Sequence, residues 1–294
     1  MKNVSFPSLD KQTITALKKS IDATFREFAS NWGEWFTELL FPLHWLLIHF
    51  EKLLLVTPWY VFLGLTSLLI WKLTTSWKIV LGFLSSFTLI GLVGMWDDTM
   101  RTLAIVVIST FVCIVIGIPV GILMSKKETA KKIMLPILDL MQTIPSFVYL
   151  IPVIMLFGLG KVPGLIAICF FAIPPVIRFT NLGLREIDKD LTETAHALGL
   201  KSRHILLFVE LPLARSVILG GVNQTVMMSL AMVVIASMIG VRGLGSQVMN
   251  AVGNGYLGLG VISGLSIVAL AIVIDRTIQA YSNKKDWRNN TGNN

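Results

Sequence analysis

The residues best suited to a defined task lie in one polar segment, at about residues 178–215. Acidic side chains precede Ala195 and basic ones follow Gly199, the order that the dipole of a short helix favours. A glycine at that place suits the positive φ of a helix C-terminal cap. The segment predicts a short helix, a glycine turn and a second helix from Ser202 toward Leu211, broken by the proline that follows. We call this predicted helix–turn–helix unit the knob. Its residues offer a surface for contact rather than groups for covalent chemistry. By itself it is equally explained as a plain connecting loop.

Residue types that serve catalysis are few and poorly spaced. His44 and His49 are five positions apart, whereas a helical zinc pair needs four. The run 158–161, Gly-Leu-Gly-Lys, lacks the earlier glycine and the following Ser or Thr of a phosphate loop. The sequence therefore favours neither an enzyme nor ATP binding by this chain, and we expect no catalytic residue, metal or cofactor on it.

The elements that must position the polar segment are apolar. Of 294 residues, 54% are hydrophobic and 14% charged, and residues 102–124, 216–241 and 257–274 carry no formal charge. A run of about 20 apolar residues crosses the hydrocarbon layer as a helix, and in that layer every backbone group must be paired within the structure. The sequence predicts an all-α integral membrane protein. The net charge of +8 does not indicate nucleic-acid binding, because the basic residues lie between the apolar runs.

Seven membrane spans are predicted within a transmembrane domain at 54–280, which contains the polar segment and is followed by a polar tail at 281–294. The fifth span is short and has two prolines near its end. The predicted spans are 54–71, 79–95, 102–124, 133–157, 162–177, 216–239 and 257–274.

The sides of the membrane follow from lysine and arginine, which are enriched in cytoplasmic connections. Alternate connections and the C-terminal tail hold sixteen of these residues, and the remaining connections hold only Arg101, Lys161 and Arg242. The polar segment and the C-terminus are therefore predicted to be cytoplasmic.

Residues 1–53 form a separate N-terminal segment. Apolar residues recur at helical spacing from Thr13 to Glu38, which favours an amphipathic helix lying on the membrane surface. The alternative is an eighth span that begins near Phe41, but Glu51 and Lys52 would interrupt it. The first 20 residues have no apolar core, so we expect no cleavable signal peptide.

Several polar or helix-breaking residues fall within predicted spans. Such groups face a bundle interior or a water-filled path, or they hydrogen-bond between helices as structural contacts. Asp139 lies near the end of its span, where an interfacial or capping role is expected. Prolines kink a helix that lines a path, although packing explains kinks equally well. The candidate path-lining residues are Met141, Gln142, Pro145, Asn223, Gln224 and Ser237.

The polar segment contains Glu193–Thr194–Ala195, three residues, Gly199, nine residues, Val209, one residue and Leu211–Pro212. This pattern resembles the coupling-loop motif of ATP-binding-cassette importer permeases, which reads Glu-Ala-Ala, three residues, Gly, nine residues, Ile, one residue, Leu-Pro. The chain departs from it at Thr194 and Val209.

In that family the short helix inserts into a cleft of a cytoplasmic ATPase subunit. The resemblance implies that Glu193 pairs with a basic residue of that partner, that Ala195 allows close approach and that Gly199 sets the angle. The coupling residues that it assigns are Glu193, Thr194, Ala195, Gly199, Leu211 and Pro212.

Five further stretches, 139–152, 171–178, 221–225, 233–239 and 243–245, resemble glycine betaine/proline-type permeases. The resemblance covers about residues 55–280 and leaves out the N-terminal segment. It implies a type I importer permease in a bacterial cytoplasmic membrane, moving a solute such as glycine betaine, choline, carnitine or proline. Which of these solutes is moved stays open.

The resemblance also implies the partners. They are two copies of an ATPase subunit, which carries the ATP and Mg, an external binding protein that selects the solute, and a second permease copy. A homodimer is expected, although a related second chain is the alternative. A secondary carrier would need buried charges or an inverted repeat, and the sequence shows neither.

Overall fold

The computed structural model describes residues 10–290, with side chains described up to residue 284, and no strand occurs within that range. The all-α class is thereby confirmed. Short 3-10 turns occupy Ser146–Tyr149 and Ser237–Ile239, and a π-helical turn occupies Leu206–Glu210. The α-helices are α1 (Lys11–Val56), α2 (Trp59–Thr74), α3 (Trp77–Leu92), α4 (Trp96–Lys126), α5 (Glu128–Thr143), α6 (Leu150–Phe157), α7 (Lys161–Arg185), α8 (Lys189–Ala197), α9 (Ser202–Ile205), α10 (Leu211–Leu213), α11 (Arg215–Ala236), α12 (Leu244–Asn254) and α13 (Leu257–Asn290).

Helices α4, α7 and α11 form the centre of the bundle, because small residues let their backbones approach closely. A Cβ atom on Gly121 of α4 would lie 2.6 Å from the Cβ atom of Thr180 on α7. On α11, a Cβ atom on Gly221 would lie 2.6 Å from the Cβ atom of Phe179. Gly117, one turn before Gly121, makes a similar contact, since a Cβ atom there would overlap Cγ1 of Val176 on α7. Gly264 of α13, by contrast, has nothing within 4 Å of its Cβ position.

All seven predicted spans fall on apolar helices, but their lengths differ from the prediction. Within residues 10–290, α1, α4, α7, α11 and α13 are long and apolar enough to cross a membrane, and α5 with the segment Ser146–Phe157 makes a sixth as a bent pair. Helix α1, predicted to lie on the membrane surface, thus also has the length and hydropathy of the alternative, a span. Helices α2 and α3 have 16 residues each, which corresponds to about 24 Å. The predicted span 54–71 is divided, because α1 ends at Val56 and α2 begins after Pro58.

The predicted span 133–157 is broken rather than merely kinked. Its two parts meet at an angle of 108°, at Ile144 and Pro145, where the backbone is extended. Pro152 lies in the first turn of α6, where a proline is tolerated without a kink. The short fifth span is also corrected, because α7 continues through Pro174 and Pro175 to Arg185.

The N-terminal segment forms one continuous helix of 46 residues, α1. A Cβ atom on Gly33 would lie 3.3 Å from the carbonyl oxygen of Leu156, and the rings of Phe36 and Phe157 are 6.4 Å apart. Eighteen residues after Gly33, a carboxylate oxygen of Glu51 accepts a hydrogen bond of 2.7 Å from Nζ of Lys161. Helix α1 therefore follows the connection between α6 and α7, and most of its residues before Gly33 are exposed.

Segments predicted to share a side of the membrane lie at the same end of the bundle. Near the C-terminus, Lys284 donates to the carbonyl oxygen of Lys72 and to the hydroxyl of Thr75. At the opposite end, Arg101 and Lys161 both face Glu51. The end of the bundle at which Lys284 lies also carries α8, and we call it the α8 end.

Candidate functional site

The predicted knob is present between α7 and α11 as residues 188–214. Its first helix, α8, begins after Asp188, whose side chain accepts a hydrogen bond of 3.0 Å from the Asp190 N–H. It ends at Ala197, and Gly199 then turns the chain with φ +78°. The Leu200 N–H closes the turn on the carbonyl oxygen of Ala195 at 3.2 Å. Only glycine adopts this backbone region readily, so the glycine-turn prediction is confirmed.

The second arm of the knob is more continuous than predicted. Helix α9 passes into the π-helical turn Leu206–Glu210, in which the Leu211 N–H bonds to the carbonyl oxygen of Leu206. The chain goes on through Pro212 in α10 and enters α11 at Arg215. Pro212 therefore removes one helical hydrogen bond but does not end the arm, because its fixed φ is that of a helix.

The coupling residues occupy different environments. Glu193 and Thr194 are exposed, and the Thr194 hydroxyl donates to the Asp190 carbonyl oxygen of its own helix. Ala195 is buried where α8 packs against α9. The small Ala195 side chain therefore allows a close approach between α8 and α9, within the knob itself. Pro212 is exposed and Leu211 is half-buried.

Large apolar side chains are exposed on the knob although it is a polar segment outside the predicted spans. Leu198 is 77% exposed and Phe208 is 73% exposed, and Leu191 and Leu200 are exposed as well. Grouped exposed apolar side chains mark contact sites for other proteins. Together with the exposed carboxylate of Glu193, these side chains give the knob the composition of a docking surface, a feature that the sequence motif alone did not reveal.

One ion pair joins the base of the knob to the bundle, and a second joins α7 to α5 beside it. Nζ of Lys126, the last residue of α4, lies 2.6 Å from both carboxylate oxygens of Glu210. Arg185, the last residue of α7, donates to Glu128 at 2.7 Å and to the Met124 carbonyl oxygen at 2.9 Å. The hydrogen bond from Arg185 lowers the pKa of the Glu128 carboxyl, against a smaller opposing effect of desolvation. Sequence reasoning used these cations only to assign sides.

The candidate path-lining residues are not gathered in one place. On α5, Gln142 is exposed, and the carbonyl oxygen of Met141 accepts a hydrogen bond from the Tyr149 hydroxyl. Pro145 marks the break before the 3-10 turn. The Tyr149 bond crosses that break, so it fixes the angle between α5 and α6.

On α11 the candidates point in different directions. Gln224 is exposed, whereas Asn223 donates to Asp275 of α13 at 2.6 Å. This hydrogen bond between two helices is a structural contact, which was the alternative to lining a path. The Ser237 hydroxyl bonds to the Val234 carbonyl oxygen of the preceding turn. The exposed members of the set are therefore Gln142, Pro145 and Gln224.

Asp139 does not cap a helix. Its carboxylate accepts a hydrogen bond from Arg178 of α7, and the two residues lie 39 positions apart in sequence. Arg178 had been assigned to the polar segment because it follows the apolar run, and α7 continues seven residues beyond it. The pair stands on the exposed side of α5, near Gln142.

Comparison with known proteins agrees with this geometry. The family described as binding-protein-dependent transport system inner membrane component matches residues 114–285, which include the whole knob. The glycine betaine/proline betaine permease ProW of Escherichia coli is 44% identical over 85% of this chain and 70% of its own. The glycine betaine permease OpuAB of Bacillus subtilis is 47% identical over 76% of this chain and 78% of its own.

Solved structures share the fold. Two crystal forms of the inward-facing MetNI methionine ABC transporter match with TM-scores of 0.52 and 0.55, at 23% and 22% identity. The matches cover 63% and 65% of this chain and 90% and 93% of the matched chains. The chain belongs to the family of binding-protein-dependent transport system inner membrane components and is a permease with the fold of type I ABC importers.

Proposed function

We propose that this chain forms the membrane path for a compatible solute such as glycine betaine, choline, carnitine or proline in an ATP-driven importer. The observation that carries the proposal is the knob: an exposed, partly apolar docking surface on α8, in a chain 44% identical to a glycine betaine/proline betaine permease. The chain itself supplies no reaction step. ATP and Mg belong to a separate ATPase subunit, of which two copies are needed.

The α8 end is the cytoplasmic end, and the C-terminus lies on that side. The lysines and arginines of the chain support this orientation, because they are concentrated in the connections at that end. The protein would then lie in a bacterial cytoplasmic membrane. Helix α1 follows the external face, where its exposed Trp32 and Trp35 suit the lipid–water interface.

A second permease copy completes the path, and we propose that it is identical to the first. An external binding protein selects the solute and delivers it to the outer mouth. ATP binding closes the ATPase pair and draws the two knobs together, which turns the bundle from inward-open to outward-open. Hydrolysis then resets the bundle, so that two distant sites are coupled through one two-state element.

The test is uptake of labelled glycine betaine into proteoliposomes that contain this chain, its co-purifying ATPase subunit and its binding protein. Uptake should require all three components and ATP on the side of the knob. A non-hydrolysable ATP analogue serves as the matched control and should support no turnover. Uptake by the chain alone, driven by an ion gradient and insensitive to ATP, would replace the proposal with a secondary carrier.

A further inference from the structure

The base of the knob holds a carboxylate that faces the bundle. Glu210 is only 7% exposed, and both its oxygens bond to Lys126 at 2.6 Å. No other side chain among residues 10–284 lies within bonding distance of this carboxylate. The Lys126 side chain is 47% exposed, whereas the Glu210 carboxylate depends on this single partner, because a buried ion without a partner is strongly unfavourable.

The π-helical turn explains why Glu210 points inward. Ile205 and Glu210 are both buried, yet residues five apart on an α-helix are about 140° apart around its axis. In the π-helical turn each N–H bonds to the carbonyl five residues earlier, as the Leu211 N–H does with Leu206. Residues five apart then lie nearly one above the other. The widened turn therefore directs Glu210 toward α4 while it keeps Ile205 buried.

The cation that Glu210 binds belongs to a closely packed part of the bundle. Lys126 is the last residue of α4, and α4 is held against α7 where Gly121 leaves no room for a Cβ atom. Arg185 bonds both to Glu128 and to the Met124 carbonyl oxygen. The ends of α4, α5 and α7 are thus joined to each other, and Lys126 joins that rim to the return arm of the knob.

We propose that Glu210 and Lys126 are positioning residues that transmit movement of the docked knob to α4, and through α4 to the centre of the bundle. The inference rests on the proposed function, in which α8 docks on the ATPase subunit. Helix α8 contacts the ATPase subunit. When α8 moves, the Glu210–Lys126 pair passes that movement on to the membrane spans. Without the pair, the knob still docks, but it moves more independently of the bundle.

The experiment uses the full complex in proteoliposomes with the variants Glu210→Gln, Lys126→Gln and the exchange Lys126→Glu/Glu210→Lys. Three quantities are measured: co-purification of the ATPase subunit, ATP hydrolysis stimulated by solute-loaded binding protein, and solute taken up per ATP. Lys127→Gln is the matched control, because Lys127 is the neighbouring lysine, is exposed and makes no ion pair among the described residues.

Both single variants should co-purify with the ATPase subunit as the unchanged chain does, and uptake per ATP should fall about ten-fold, within the range typical of coupling between sites. The exchange should recover most of that loss, and Lys127→Gln should behave as the unchanged chain. Unchanged uptake per ATP in the single variants overturns the proposal. If the single variants fail to fold, an exchange variant that folds but stays uncoupled overturns it too.

Failure of the proposed function gives a different result. In that case the unchanged chain already shows no dependence on ATP, or it does not co-purify with an ATPase subunit, before any variant is compared.

Discussion

Glu51 of α1 and Lys161 of α7 are 110 residues apart in sequence, yet the carboxylate oxygens of Glu51 lie 2.7 Å from Nζ of Lys161. Nε of Arg101 approaches the same carboxylate at 3.9 Å. Glu51 is buried, so the pair holds α1 against the connection between α6 and α7. An exposed ion pair contributes little to stability, but a buried carboxylate that loses its charge leaves Lys161 without its ionic partner, whereas Arg101 keeps Asp98 at 3.1 Å.

Glu51→Gln should therefore destabilise the protein by about 1–3 kcal/mol, the usual cost of an unsatisfied buried polar group. The measurement is the midpoint of thermal unfolding in detergent, followed by a fluorescent thiol or by tryptophan emission. Glu38→Gln, on the exposed surface of the same helix, is the matched control and should change the midpoint little. Equal midpoints for the two variants would show that the pair does not hold α1.

Replacing Gly199 by another residue should lower the uptake of solute per ATP. The Gly199 φ of +78° costs an ordinary residue about 1–2 kcal/mol, although nothing lies within 4 Å of its Cβ position. Gly199→Ala should lower uptake per ATP, and Gly199→Pro should abolish coupling while the chain still inserts into the membrane, because the change lies outside the spans. Both are measured as uptake and ATP hydrolysis in proteoliposomes.

The control for Gly199 is Gly253→Ala, in α12. That glycine is also open to solvent, but its φ is not positive, so alanine there should be neutral or stabilise the helix by up to about 1 kcal/mol. Equal effects at the two positions would mean that the turn geometry is unimportant.

Glu193→Arg should weaken the association between this chain and its ATPase subunit. Glu193 is exposed on α8, and the resemblance implies a basic partner. Reversing the charge replaces attraction by repulsion, and a loss of at least about ten-fold in affinity is expected for a close interfacial pair. Binding is measured by titrating the purified ATPase subunit onto the chain in nanodiscs. Glu186→Arg makes the same charge change at the end of α7 and should bind normally.

The knob was predictable because its determinants are local. The cap at Asp188, the turn at Gly199 and the helix between them follow from residues within a few positions of one another, and the apolar runs identify the other helices in the same way. Arg178 was misplaced because a charge ends an apolar run in sequence, whereas on α7 the same charge is matched by Asp139.

The contacts that hold the site together were not predictable, since they join distant parts of the chain. Glu210 and Lys126 are 84 residues apart, and nothing near either residue indicates the other. The π-helical turn that aligns them has no sequence signature that was recognised. For the same reason Glu51 was interpreted as an interruption of an apolar stretch, although Lys161 and Arg101 neutralise it in the folded chain.

The pair between Arg185 and Glu128 should make the α8 end sensitive to acid. The hydrogen bond from Arg185 lowers the pKa of Glu128, so the folded state holds the ionised carboxylate more strongly than the unfolded state does. The stabilisation is present above the ordinary carboxylate pKa of about 4.3 and is lost as the pH falls through the lowered value. Because Glu128 is exposed, the effect should be small and should weaken in high salt.

Thermal midpoints of the unchanged chain and of Glu128→Gln should therefore differ near neutral pH and converge as the pH falls below the ordinary carboxylate range. Arg185→Gln should remove the same difference, because without the guanidinium the pKa of Glu128 returns toward its ordinary value. Glu186→Gln, one residue beyond Arg185, is the control. It should change the thermal midpoint by the same amount whether residue 185 is arginine or glutamine. A gap between the unchanged chain and Glu128→Gln that persists at low pH would mean that Glu128 acts through packing rather than through its charge.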